Sequence, residues 1–131
     1  MDIEVYFEEG AKVNARLGNH VVKTDQKVHG GGEDSAPAPF DYFLASLATC
    51  AGIYVKVFCD KRGIASSEIR IIQKHRNDPQ TRKLTGIDLE IVLPDGFPEK
   101  YREAVIKAAD QCAVKRLLKD PPAIEVRTVP A

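Results

Sequence analysis

The residues best equipped for chemistry are three cysteines, Cys50, Cys59 and Cys112, together with His29 and Asp41. Cys50 falls midway along an apolar helical stretch and Cys112 on the apolar stripe of a later one. Both can therefore project into one interior although 62 positions separate them. A thiol pair of this kind suits redox chemistry. One thiolate attacks an oxidant and a second thiol attacks the resulting sulfenic acid, which needs two sulfurs within disulfide reach and a cation that favours the first thiolate. The plainer reading is that both are small buried hydrophobes, a common fate of free cysteine. Cys59 follows Cys50 by nine residues, about half a turn out of phase at 3.6 residues per turn, and is read as structural.

His29 stands just before a glycine loop, which could carry its ring over the start of the helix near Cys50, where an imidazolium favours the thiolate. A plain surface histidine is the alternative, as it is for His75 between Lys74 and Arg76. Asp41 opens the helix, where a carboxylate suits the positive end of the dipole. Capping is its first role, and it could reach Cys50 only from the opposite end of a pocket or across a dimer. No CxxC, HExxH or other paired short spacing is present, so no metal is expected.

The elements that must position these residues follow from periodicity. Ile3, Val5 and Phe7 alternate with polar residues as in a half-buried strand, Val13, Ala15 and Leu17 repeat the pattern, and Gly18-Asn19 returns the chain into a third strand from His20. Residues 30–39, GGGEDSAPAP, form a loop without the spacing of a nucleotide-binding turn. Pro39 is placed to start a helix and Gly63 to end it. Between Tyr42 and Val55 there is no charge, so burial nearly all round is expected, in a stretch too short to span a membrane. Residues 68–76 and 85–93 read as strands separated by Asn77-Asp78-Pro79, and Pro98 opens an amphipathic helix carrying Cys112 on its inward stripe. The helical pattern continues or restarts through Val114, Leu117 and Leu118, and residues 124–129 alternate again as a last strand.

The expected fold is α+β in the order βββ-α-ββ-α(α)-β, a single domain over residues 1–131. One sheet cannot cover every side of a central helix, and a dimer would. The 19 Lys and Arg balance the 19 Asp and Glu, without the basic patch of a nucleic-acid binder. The N-terminus MDIEVYFEEG lacks a basic segment followed by an apolar one, and three unpaired cysteines are not a disulfide framework, which together read as cytoplasmic.

The loop GGGEDSAPAP followed by PFDYFLASLATC, CDKRGI and AADQCAVKRLL resembles the OsmC/Ohr family of organic hydroperoxide-handling proteins over almost the whole chain. The resemblance implies an intertwined homodimer with two buried central helices and two interfacial sites. It also implies Cys50 as peroxidatic thiol, Cys112 as resolving thiol, reduction by a small or protein dithiol, and no cofactor. The family pattern sets a carboxylate just after the proline of the helix start, paired with an arginine that activates the thiolate. Here Phe40 takes that place, Asp41 comes one later, and an ungapped count puts His29 where one branch has its arginine. A His29–Asp41 pair would be a weaker and pH-sensitive substitute without the bidentate fork. The competing readings are a ligand-binding or sulfur-relay protein that keeps the cysteine pocket, and a purely structural dimer.

Overall fold

In the computed structural model, which describes residues 1–131, the backbone forms two units, Met1–Ala45 and Ser46–Ala131. In the first, β1 (Ile3–Phe7), β2 (Val13–Leu17) and β3 (His20–Val22) make an antiparallel sheet in the order β1-β2-β3. The turns at Gly10 and Gly18 have positive φ, which glycine adopts without steric cost. The register pairs Ile3 with Leu17, Val5 with Ala15 and Phe7 with Val13. Alternation predicts β1 correctly, but its apolar face is exposed, Phe7 at 81%, because a strand's period reports which residues share a face and not whether anything covers it.

The buried feature of this unit is polar. Asp25 is 1% exposed. Its carboxylate accepts the Ser35 hydroxyl at 2.6 Å and the backbone N–H groups of Gln26, Ser35 and Glu33 at 2.8, 3.1 and 3.2 Å. The Ser35 hydroxyl is the main cause that holds the Asp25 carboxyl down to about 2 from an ordinary 3.8, with burial opposing and the amides assisting. The glycine loop is thus folded around one carboxylate. Gly32 lies so close that a Cβ there would stand 2.1 Å from the Gln26 carbonyl oxygen and 2.6 Å from Asp25 Oδ1.

Helix α1 (Pro39–Asp60) begins where the proline predicts. Within the second unit it buries Leu47, Ala51, Val55, Phe58 and Cys59, a stripe at helical spacing. Burial nearly all round is not what the chain shows: Ile53 and Val57 are 54% and 43% exposed, and Phe40 in the first turn 57%. A single chain supplies one covered face and no second layer. The helix is also longer than the uncharged stretch suggests, and its 22 residues reach the length and apolarity of a membrane span; a core helix has the same composition. The turn that follows it closes at Gly63 with φ of 65°, where Ile64 N–H reaches back to the Cys59 carbonyl at 3.0 Å. Arg62 seals this end, its guanidinium 3.7 Å from the Phe58 ring centre and donating to the Phe58 carbonyl at 3.1 Å.

Strands β4 (Arg70–Asn77) and β5 (Leu84–Val92) form an antiparallel hairpin, with Asp78 accepting the N–H groups of Gln80 and Thr81 in its turn. Ile71, Ile87, Leu89 and Ile91 pack on the core around Val105. A 3-10 turn (Glu99–Tyr101) leads into α2 (Arg102–Ala109), and α3 (Ala113–Lys119) follows after a break. The last strand expected over residues 124–129 does not form. Ile124 and Val126 are 87% and 96% exposed, since alternation makes a strand only where an open edge accepts its backbone.

Gly32→Ala is expected to destabilise the protein by about 1–3 kcal/mol, because the added methyl must displace backbone; a thermal melt beside the wild type checks it. The depressed Asp25 pKa contributes stability that is complete above its ordinary 3.8 and lost as pH falls through about 2. Acid titrations of wild type and Asp25→Asn should therefore show a loss of stability in that window that is smaller in the variant.

Candidate functional site

In α1, Cys50 sits three residues after buried Leu47, at the edge of the buried stripe, and is partly accessible. Cys112 lies at the break between α2 and α3 as the N-cap of α3, with φ of −45° and ψ of 124°, and is wholly buried. Its N–H donates to the Ala109 carbonyl at 3.2 Å and its carbonyl accepts the Arg116 N–H at 3.0 Å. The turn thereby fixes the sulfur inside the core, 3.7 Å from the Leu47 carbonyl oxygen.

The two thiols are close enough to influence each other's ionisation, and their environments differ. The Cys50 thiol is lowered from its ordinary value, chiefly by the Val114 N–H. Burial opposes this, while the Cys112 thiol, the Ala113 N–H and the Arg116 charge assist. The first amides of a helix have no intrahelical acceptor, which leaves them available to an anion. The Cys112 thiol is pushed up, first by burial and then by the hydrogen bond and charge of Cys50. Its single proton can go to the Leu47 carbonyl or to Cys50, and an ionised Cys50 is the better acceptor. Cys59 is 0% exposed and raised by burial and by the neighbouring Asp60 carboxylate.

Cys50 and Cys112 are thus brought together in the second unit. His29 and Asp41 belong to the first. His29 lies exposed in a 3-10 turn (Val28–Gly30), and the exposed Asp41 carboxylate accepts the Ala38 N–H at 3.1 Å, a capping bond at the start of α1. The Ala113 and Val114 amides and Arg116 went unnoticed in the sequence. A cation four residues after the second cysteine was the available signal; the amides depend on a helix break that periodicity does not reveal.

Beside the pair lies a cavity of about 700 Å³ between β5 and the α2–α3 segment. Leu47 and Ala109, which pack around Cys112, form part of its wall. Leu89, Ile91, Ile106 and Leu118 make the rest apolar, and Asp88, Arg102, Asp110 and Lys115 stand on its lining as charges.

A model of the OsmC-like protein family matches residues 31–127. The chain belongs to this family. The OsmC-like fold is also that of solved structures. One, from Psychrobacter arcticus, is named for an osmotic stress-induced and detoxification response; it is 19% identical with a TM-score of 0.72, over 87% of this chain and 85% of that one. An OsmC-like protein from Mycoplasma pneumoniae is 15% identical with a TM-score of 0.70, over 92% and 87%. The organic hydroperoxide resistance protein OhrB of Bacillus subtilis is 14% identical with a TM-score of 0.54, over 92% and 90%. No curated protein matches the chain by sequence. At these identities the likeness establishes the α+β fold.

Of the three thiols in this OsmC-like chain, Cys50 should be alkylated fastest at neutral pH, because its lowered pKa increases the thiolate fraction at every pH below full ionisation. Replacing Cys112 by Ala removes a donor and should move the Cys50 alkylation midpoint upward. Timed iodoacetamide labelling with peptide mass mapping measures both; equal labelling of Cys50 and Cys59 in folded protein contradicts the first.

Proposed function

We propose that this OsmC-like protein reduces organic hydroperoxides with a thiol pair, Cys50 acting as the peroxidatic residue and Cys112 as the resolving one. The observation that carries the reading is the opposed tuning of two neighbouring thiols: Cys50 is held toward thiolate by amides, and Cys112 is kept protonated by burial and by Cys50 itself. An inert pair of buried cysteines would have both pKa values raised. Support comes also from relatives of the same fold that are named organic hydroperoxide resistance proteins.

The Cys50 thiolate attacks the terminal oxygen of ROOH. The S–O bond forms, the O–O bond breaks, and the departing alkoxide takes a proton to leave as ROH, with sulfenic acid on Cys50. Charge on Cys50 is then gone, and with it one cause of the raised Cys112 pKa, so the Lys115 and Val114 amides favour the Cys112 thiolate. The Cys112 sulfur attacks the Cys50 sulfur, expelling hydroxide that is protonated to water, and a disulfide remains. An external dithiol restores both thiols and is itself oxidised to a disulfide. The neighbouring apolar cavity offers a place for the organic group R.

The working form in this proposal is a cytoplasmic homodimer. In its favour stand the apolar residues that one chain leaves exposed, Ile53 and Val57 on α1 and Ile124 and Val126 in the C-terminal segment. Phe40, at the place of the family's carboxylate, favours the second reading, a ligand-binding or sulfur-relay protein that retains the cysteine pocket.

Reduced protein treated with stoichiometric cumene hydroperoxide should lose two thiols through a Cys50–Cys112 disulfide, and should do so faster than with hydrogen peroxide. Cys112→Ser should accumulate sulfenic or overoxidised Cys50, and Cys50→Ser should not react. Intact mass and thiol titration follow this course. Thiols that stay unchanged over many minutes would overturn the peroxidase reading in favour of ligand binding or sulfur relay.

A further inference from the structure

We infer that the C-terminal segment, residues 120–131, is a strap that closes the mouth of the cavity by adding its residues 124–129 as a strand to the free edge of β5. The inference rests on the proposed place of the organic group R in that cavity and adds the element that encloses it.

The mouth lies at the edge of β5. Successive residues of a strand point to opposite faces, yet the cavity is lined both by Ile87, Leu89 and Ile91 and by Asp88 between them. A cavity that meets both faces of a strand reaches around its edge. The other edge of β5 is taken by β4, since the sheet has two strands in the order β4-β5. The β5 backbone groups that point away from β4 have no backbone partner and form an open edge. The strap starts at the same cavity. Leu118, in the last turn of α3, lines it, and the linker Asp120–Ala123 reaches at most about 14 Å when extended, as Pro121 and Pro122 dispose it to be.

The segment suits that edge. Pro122 and Pro130 bound it, as an edge strand allows, and Ile124, Val126 and Thr128 alternate with Glu125, Arg127 and Val129. Run antiparallel to β5 with Val126 opposite Ile91, it sets Ile124 opposite Leu93 and Arg127 opposite Glu90, whose carboxylate also holds Lys74 of β4 at 2.8 Å. Opposite charges across a ladder are favourable and like charges are not. A shift by two residues, with Val126 opposite Leu89, brings Glu125 against Glu90. In the favoured register Ile124 and Val126, now 87% and 96% exposed, extend the apolar wall that Leu93 and Ile91 form. Ordering the strap costs chain entropy, and an added edge strand holds only with an apolar face to pack on. The organic group supplies that face, so occupancy of the cavity drives closure.

Amide hydrogen exchange, read by peptide mass, tests this on the reduced full chain with and without excess cumyl alcohol, the ROH that cumene hydroperoxide leaves, whose binding is followed by calorimetry. Binding should slow exchange across residues 124–129 and in β5 by about tenfold or more. Arg127→Glu should lose most of that protection, and Arg127→Glu combined with Glu90→Arg should regain it. Cumyl alcohol that does not bind, or that binds and leaves residues 124–129 exchanging freely, would overturn the strap. So would protection that rises with protein concentration, which marks a second copy on the edge. The alcohol involves no thiol chemistry. Closure in a protein whose thiols ignore cumene hydroperoxide therefore upholds the strap and overturns the peroxidase reading, and a Cys50–Cys112 disulfide formed while the segment stays free does the reverse.

Discussion

The second unit depends on the interruption of the chain at Cys112. Had α2 run on without a break, the N–H groups of Ala113 and Val114 would donate to the carbonyls of Ala109 and Asp110, and neither could serve a sulfur. The break frees both amides, and both favour ionisation of Cys50. It also turns the Cys112 side chain into the core, where Leu47 and Cys50 are its acceptors. One backbone irregularity thus buries the Cys112 thiol and frees the amides that favour ionisation of Cys50. The cost of ending a helix inside a core is small here because the Cys112 backbone groups remain paired, with Ala109 and Arg116.

Burial alone would raise every thiol in this protein, and Cys59 shows that outcome. It shares α1 with Cys50, lies wholly buried, faces no helix amide, and has the Asp60 carboxylate for a neighbour. Cys50 differs through what meets its sulfur. Two backbone N–H groups and a thiol donor outweigh the loss of solvent, because hydrogen bonds to the ionised form act where water no longer screens them. The pair is also asymmetric in time. An ionised Cys50 raises the Cys112 pKa, and in the proposed cycle oxidation of Cys50 removes that effect.

What the sequence disclosed depended on whether a feature was local. Pro39 and Gly63 bound α1 because a proline's fixed φ and a glycine's left-handed freedom are properties of single residues. Asn77-Asp78-Pro79 marks the β4–β5 turn for the same kind of reason. Features that depend on distant partners were not legible. The exposure of Phe7, Ile53 and Val57, and the absence of a strand over residues 124–129, reflect what a single chain can cover, which periodicity does not encode. Asp25 is the clearest omission: an aspartate before a glycine loop reads as a turn residue, and only the folded loop shows four donors converging on it. The meeting of Cys50 with Cys112 was within reach because the sequence pattern puts both on apolar helical stripes, although Cys112 stands at the break after α2; the Ala113 and Val114 amides that distinguish them were not.

The kind of group that sustains the Cys50 thiolate decides how a reaction there responds to pH. A histidine activator would withdraw its charge as pH rises through the imidazole range, so activity would be lost on both sides of an optimum. Backbone amides do not titrate, and a guanidinium keeps its charge throughout the range in which proteins function. A Cys50 thiolate favoured by the Val114 and Ala113 amides is limited on the acid side by its own protonation. On the alkaline side the limit is Cys112, because loss of its proton removes a donor that favours the Cys50 thiolate.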